Sequence, residues 1–403
     1  MLALNRNTVS GTFRGVKVTQ AGLSLIELLI ATALGLIIIA GVAQLYANIS
    51  ISNRELAKAN SQIENARFAM QFLRNDIVHA GFWGTWVPEF DNLMLDGAPS
   101  DIPYTASTDA PPDPCLPFAS WPAATVGTTA SYLNGLLGIP IQVYSGSPSA
   151  NCNAYVSDLQ PGSDVLVVRH AERCEAGAAN CDADTAGRLY LQVSNCQAEI
   201  DAGSPYALDP NTFPLTDKDC TTNASKRRFI QNIYYIRDYA VTDGDGIPTL
   251  VRSEFDFASG ALSHQPAQAL VQGIERMRVE VGIDGLSDSG DPVDYTAAVD
   301  WLDPDVWESP TNRGDGVPDP IGGDYFVHCP SLSPACTAAQ LANTVVVQLF
   351  ILARADEESP AHIDTKTYTL GSLNVAATND AFKRHVFGTT IRVNNVSARR
   401  ETP

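Results

Sequence analysis

The chain has 403 residues, with 45 Asp and Glu against 26 Lys and Arg, a net charge of −19 and 45% hydrophobic residues. That length builds one large or two ordinary domains with a sizeable core, and the apolar share is that of a folded chain rather than a disordered one. The acidic balance excludes the basic face that non-specific nucleic-acid binding needs, so no nucleic-acid partner is expected.

Residues 1–22 are polar and basic, with Arg6, Arg14 and Lys17 and no Asp or Glu. A secretory signal peptide carries its own apolar region before its cleavage site, and this segment does not. The apolar run starts at Leu23. Residues 23–47 would form a helix of roughly 37 Å, enough to span a hydrocarbon core of roughly 30 Å. Positive charge ahead of the span predicts a cytoplasmic amino end and an outward remainder. One residue is out of place in the run. Glu27 is a carboxylate near the membrane interface, where it either snorkels to the headgroups or waits for a positive partner within an assembly.

From Asn48 to Ala80 there is neither Pro nor Gly. Leu56, Ile63, Met70, Leu73 and Ile77 recur at helical spacing, which predicts an amphipathic continuation over 48–81 packed on a globular domain, with Gly81 as its breaker. The domain, 82–403, opens with Pro-, Ser- and Gly-rich sequence. This predicts an irregular insertion at about 84–225, apart from "NGLLGIPIQVYS". Strand candidates are "SDVLVVRH", "GRLYLQVS", "RFIQNIYYIRDY", "PTLVRSEF", "IERMRVEVGID", "NTVVVQLFILARA" and "HVFGTTIRVNN". The apolar "TVVVQLFILA" predicts a central strand buried on both faces. "PAQALVQGIERM" has room for one helical turn before its strand. The fold class expected is α+β: a long amino-terminal helix on a mostly antiparallel sheet.

Cys115, Cys152, Cys174, Cys181, Cys196, Cys220, Cys329 and Cys336 all follow the apolar run. None forms CxxC, and an even number beyond a membrane segment points to disulfides in an oxidising compartment. Cys174–Cys181 and Cys329–Cys336 would close small loops. Cys115–Cys152 and Cys196–Cys220 would complete a sequential pattern, one of 105 possible pairings. Asp243, Asp245, Asp315 and Asp319 lie in "TDGDGIPT" and "RGDGVPD", which look like fragments of calcium loops. The EF-hand test fails, because Pro248 stands at position six when Glu254 is at twelve. Strand-connecting turns are the simpler reading, with calcium the weak alternative. The RGD tripeptide at 313–315 reads as a chance match. The six histidines form no ligand pair, and no nucleophile-and-base motif stands out, so no enzyme is expected.

The basic leader ending in Gly22, followed by "LSLIELLIATALGL", resembles the class III signal of type IV prepilins and pseudopilins. That resemblance implies cleavage between Gly22 and Leu23 by a membrane prepilin peptidase, methylation of the new amino terminus at Leu23, and filament docking through Glu27. Leu23 replaces the commoner Phe or Met, and the helix lacks the mid-helix proline of many major pilins. Residues 20–82 and roughly 228–396 are also similar to PilW-type minor pilins, with "YYIRDY", "PTLVR", "LVQGIERMRVEVGID" ending near "DYTAA", "VVVQLFILARA" and "RHVFGTTIRVNN" in that order. The implied role is a minor pilin in a priming or tip complex of a type IV pilus. Its partners would be other minor and major pilins and the inner-membrane assembly machinery. It would start in the inner membrane and end in the pilus at the cell surface. Rival readings are a pilus-displayed adhesin, a type II secretion pseudopilin and an anchored periplasmic enzyme.

Overall fold

The computed structural model describes residues 22–86, 110–121, 131–287, 290–293 and 314–397. The leader up to residue 21, the "DYTAA" segment and Arg313 of the RGD tripeptide lie outside them. The chain divides into two units at Ala57–Lys58. A single helix, α1 (Leu25–His79), runs through that boundary. In the first unit the side chains of residues 22–49 are exposed, with Gly35 alone half-buried.

The second unit begins with the carboxyl part of α1. Its buried face is Gln62, Ala66, Ala69, Leu73 and Ile77. This differs from the predicted stripe: Leu56 is 59% exposed and Ile63 39%. Counting back from Ile77 in steps near 3.6 reaches Ala and Gln rather than the larger residues beside them. The alanines let the helix lie close to the sheets. Gln62 donates its amide to the carbonyls of Ala353 and Lys383, so a polar side chain holds an inward position by satisfying two strand-end acceptors. The helix ends on Gly81 at φ +75°, and the Asn395 amide caps the carbonyls of Val78 and Ala80.

After α1 come α2 (Ser131–Gly138), β1 (Ile141–Tyr144), β2 (Val165–Ala171), β3 (Tyr190–Val193), α3 (Gln197–Asp201) and β4 (Tyr206–Asp209). These lie in the stretch expected to be irregular. Of these, β2 and β3 are the strands expected from "SDVLVVRH" and "GRLYLQVS", whereas the four-residue β4 leaves no periodic run long enough to read; β1 to β4 all belong to the main sheet. That sheet adds β5 (Lys226–Arg237), β6 (Thr249–Ala258), β7 (Ala261–His264) and β8 (Gln268–Gln272). It has eight strands in the path β1-β2-β5-β3-β4, with β6 pairing β5, β7 and β8. All its pairings are antiparallel.

The second sheet holds β9 (Ile274–Ile283), β10 (Thr344–Arg354) and β13 (Arg384–Arg392), with β10 in the middle. A short helix, α4 (Ala338–Ala342), precedes β10. The hairpin β11 (Tyr368–Leu370) and β12 (Leu373–Val375) precedes β13, and α5 (Asn394–Ser397) follows it. The segment read as a possible helical turn is strand β8. Gly273, at φ +76°, separates it from β9 at a point where a Cβ would come 2.9 Å from the Arg354 carbonyl, so only glycine fits. Strand β10 is fully buried on one face and covered in part on the other, where Leu352 is the fully buried residue. Val345, Val347, Leu349 and Ile351 are fully buried, whereas Val346, Gln348 and Phe350 are half-covered. On that side the hairpin packs on Phe350 and Leu352. The largest core joins the inward face of α1 to both sheets, through residues such as Tyr234, Leu250, Met277 and Leu349.

Candidate functional site

The residues singled out by sequence begin at the amino end of α1. Ser24 is the cap of the helix and Glu27 its third residue. The Ser24 N–H and hydroxyl donate to Glu27 Oε2 at 3.0 and 3.1 Å, and the Glu27 N–H donates back to Ser24 Oγ at 3.3 Å. This is a capping box, and its carboxylate faces the positive end of the helix dipole. Glu27 is thus placed by local physics before any partner is considered. The signal was legible as S-x-x-E in "SLIE". Gly22 has no left-handed φ and no atom within 4 Å of where a Cβ would stand, so neither geometry nor crowding calls for glycine there. Thr32, the bulkiest polar side chain between Leu28 and Ala43, donates to the Leu29 carbonyl at 3.0 Å. It therefore carries no unsatisfied hydroxyl into an apolar surrounding.

The carboxyl end of α1 carries a second polar centre. Asp76 accepts from His170 Nε2 at 2.9 Å, Asn232 Nδ2 at 3.0 Å and the Tyr234 hydroxyl at 2.9 Å. His170 Nδ1 faces the Ala171 carbonyl at 2.9 Å. Both ring nitrogens meet acceptors, so both carry protons and the imidazole is charged. Burial works against the Asp76 charge, but the hydrogen bonds from His170, Asn232 and Tyr234 outweigh it and lower its pKa. Burial likewise opposes the His170 charge, and Asp76 outweighs it, raising the pKa. The pair ties α1 to β2 and β5. Its members lie 94 residues apart, and no spacing in the sequence announces them.

All eight cysteines are bridged, as Cys115–Cys152, Cys174–Cys181, Cys196–Cys220 and Cys329–Cys336. Each bridge joins neighbours in the cysteine order. Three of the four aspartates weighed for calcium accept from backbone N–H groups of loops. Asp245 accepts from the N–H groups of Ala240, Val241, Thr242 and Ile247, and these backbone bonds hold its pKa well below the ordinary carboxylate value. Asp319 accepts from Gly285 and Leu286, and Asp315 from Val317. Glu254 is engaged by Arg228 and Arg252. Among the described residues, the one group of three potential metal ligands is Asp113, Cys115 and Cys152, whose sulfurs are spent in a disulfide.

One buried histidine lies between a carboxylate and a hydroxyl. His328 Nε2 is 3.1 Å from Asp164 Oδ1, and its Nδ1 is 2.5 Å from Ser331 Oγ. The order is that of a hydrolase relay, but the ring is turned so that Nδ1 meets the hydroxyl. The N–H groups of Ser331 and Leu332 are consumed by the His328 and Cys329 carbonyls, which leaves neither for an oxyanion. The chain of contacts holds the Cys329–Cys336 loop to the Asp164 region instead.

No curated protein sequence matches the chain. Among solved structures, a type IV-like pilin from Thermus thermophilus is similar at 13% identity, covering 60% of this chain and 82% of that one. Its TM-score of 0.23 is too low to carry an argument. The carboxyl part compares more clearly: from within β5 to α5, residues 233–395 match the family described as PilW, type IV pilus-assembly protein W.

Proposed function

We propose that the chain is a minor pilin of the type IV pilus. It enters the inner membrane through residues 23–47 with its amino end in the cytoplasm. Prepilin peptidase cleaves it between Gly22 and Leu23, the new terminus is methylated, and the subunit joins a priming or tip complex through Glu27. The PilW match over 233–395 carries this reading. The amino end supports it. An apolar helix long enough to cross a membrane stands with its side chains exposed, so its surroundings come from outside the chain. The capping box fixes the Glu27 carboxylate at the start of that helix, beside the place where cleavage creates an amine.

The experiment is to recover sheared pili from cells expressing wild-type chain or Glu27→Ala, and to measure the chain in the pilus fraction by mass spectrometry. The proposal expects the wild-type chain in pili and a loss of about tenfold or more for Glu27→Ala, since a buried unpartnered amine is costly. Wild-type chain confined to the membrane fraction of piliated cells would contradict it. An adhesin role is not separable by deleting 84–225, because β1 to β4 belong to the eight-stranded sheet and their loss would unfold the domain.

A further inference from the structure

The second sheet has two edges, and the chain treats them differently. On β9 the outward N–H groups are dressed: Met277 donates to Ser163 Oγ, Val279 to Asp164 Oδ2 and Val281 to the Val327 carbonyl. At the two ends of β13, Ala355 donates to the Lys383 carbonyl at 2.9 Å and Val393 to the Val345 carbonyl at 2.8 Å. The register between these ends is unbroken. Antiparallel pairs alternate, so the odd-numbered residues of β13 turn their backbone groups to β10 and the even-numbered ones turn theirs away. The Arg384 carbonyl has the Tyr368 hydroxyl 3.5 Å from it. Beyond it, the outward N–H and C=O groups of Val386, Gly388 and Thr390 meet no partner among the described residues, and Gly388 and Thr390 are exposed.

Proteins blunt such an edge by keeping it short, or with proline, a bulge or a central charge. Strand β13 has nine residues, against four or five in β1, β4, β7 and β8. From Val386 to Ile391 it holds no proline and no charge, and its pairing with β10 has no bulge. Donors and acceptors alternating at strand spacing over ~14 Å match an extended backbone; a helix spends its own backbone groups internally. The flank selects further. Lys383 to Arg400 hold one Lys, four Arg and no Asp or Glu, in a chain of net charge −19. Arg384 is met by Glu275, Asp364 and Asp380, while Arg392 is exposed beside the open edge and bonds to Ser397. A second copy paired antiparallel about Gly388 would set Arg392 opposite Arg384 of that copy, like charge to like. We propose that β13 is a docking edge for an extended segment of another protein. About five of its residues add to the sheet as a fourth strand, with uncharged β-forming side chains along Val386–Thr390 and a carboxylate beside Arg392.

The test places the photo-cross-linking residue benzoylphenylalanine at position 390 of the full-length chain in its own cells. A cross-link to one such segment of another protein is expected. That segment, made as a synthetic peptide, should slow amide exchange at Val386, Gly388 and Thr390 of the full-length, disulfide-intact protein in detergent. Thr390→Pro removes one outward N–H and leaves the bonds to β10 in place. It should weaken the peptide about tenfold or more, whereas Thr390→Val, which keeps the N–H, should bind within about twofold of wild type. Melting temperature checks that both variants fold. No cross-link, a cross-link only to β13 of a second copy, a peptide that binds without slowing those three amides, or equal binding by a folded Thr390→Pro would each overturn the proposal. None of these readouts needs cleavage after Gly22 or a pilus, so failure of the pilin reading would show separately.

Discussion

Residues 25–49 of α1 carry Leu, Ile and Val on every side, and all of them are exposed. From Lys58 onward one face is buried, its inward positions running from Gln62 through Ala66 and Ala69 to Leu73 and Ile77, and hydrogen bonds reach the sheets from Gln62, Asn65 and Asp76. Backbone and helical propensity are continuous across the two regions, so the difference lies in what each surface requires. A helix apolar all round needs an apolar solvent or a sleeve of other helices; a helix with one inward stripe needs a partner within its own chain. The first region is consistent with a membrane and then an assembly, the second with an anchor for the domain.

The contrast can be broken first at the buried pair. His170→Ala leaves Asp76 charged and buried, and should cost the domain about 3–5 kcal/mol, read by chemical denaturation. Its pH dependence has a definite sign. The raised His170 pKa makes its contribution complete below about 6.5, the ordinary histidine value, and lost as pH rises through the folded value. The lowered Asp76 pKa makes its contribution present above about 3.9 and lost as pH falls through the folded value. Wild-type protein should therefore weaken on the alkaline side in a way that His170→Ala does not.

The next effect compares the two halves of the helix directly. Leu73→Ala, at a fully buried position, should destabilise the domain by about 2–5 kcal/mol. Leu36→Ala, in the exposed half, should leave domain unfolding within about 0.5 kcal/mol of wild type. Equal effects would erase the distinction drawn between the regions. The disulfides give a graded series. Replacing the Cys115–Cys152 pair by serine removes a cross-link over a sequence separation of 37, against 7 for Cys174–Cys181. Loop entropy predicts losses of about 4 and about 2 kcal/mol respectively. The smallest effect concerns the Asp-Gly loops. Calcium raised to about 1 mM, where extracellular modules bind it, should not move the denaturation midpoint, because Asp245 spends both carboxylate oxygens, and Asp319 its Oδ2, on backbone N–H groups.

Much of this fold was legible in the sequence. The apolar run, the absence of Pro and Gly through Ala80, and seven strands with alternating or continuous apolar residues were readable because each carries its own period. The inward stripe of α1 was misread where Ala66 and Ala69 outrank Ile63, since close packing favours small residues that hydropathy scores low. Before β5, the four-residue β4 was obscured by its shortness and by the turns around it. Glu27 drew attention as a charge, while its bond to Ser24 passed unread although S-x-x-E spells it. Asp76 with His170 could not have been found, because only the folded sheet brings them together.

The most direct test of the central claim is the amino-terminal mass of the protein from cells with and without their prepilin peptidase. The account predicts a mature chain beginning at a methylated Leu23 when the peptidase is present, and the uncut leader when it is absent. A chain that keeps residues 1–22 in both strains, or is cut elsewhere, would contradict it, and Glu27 would then be a helix cap alone.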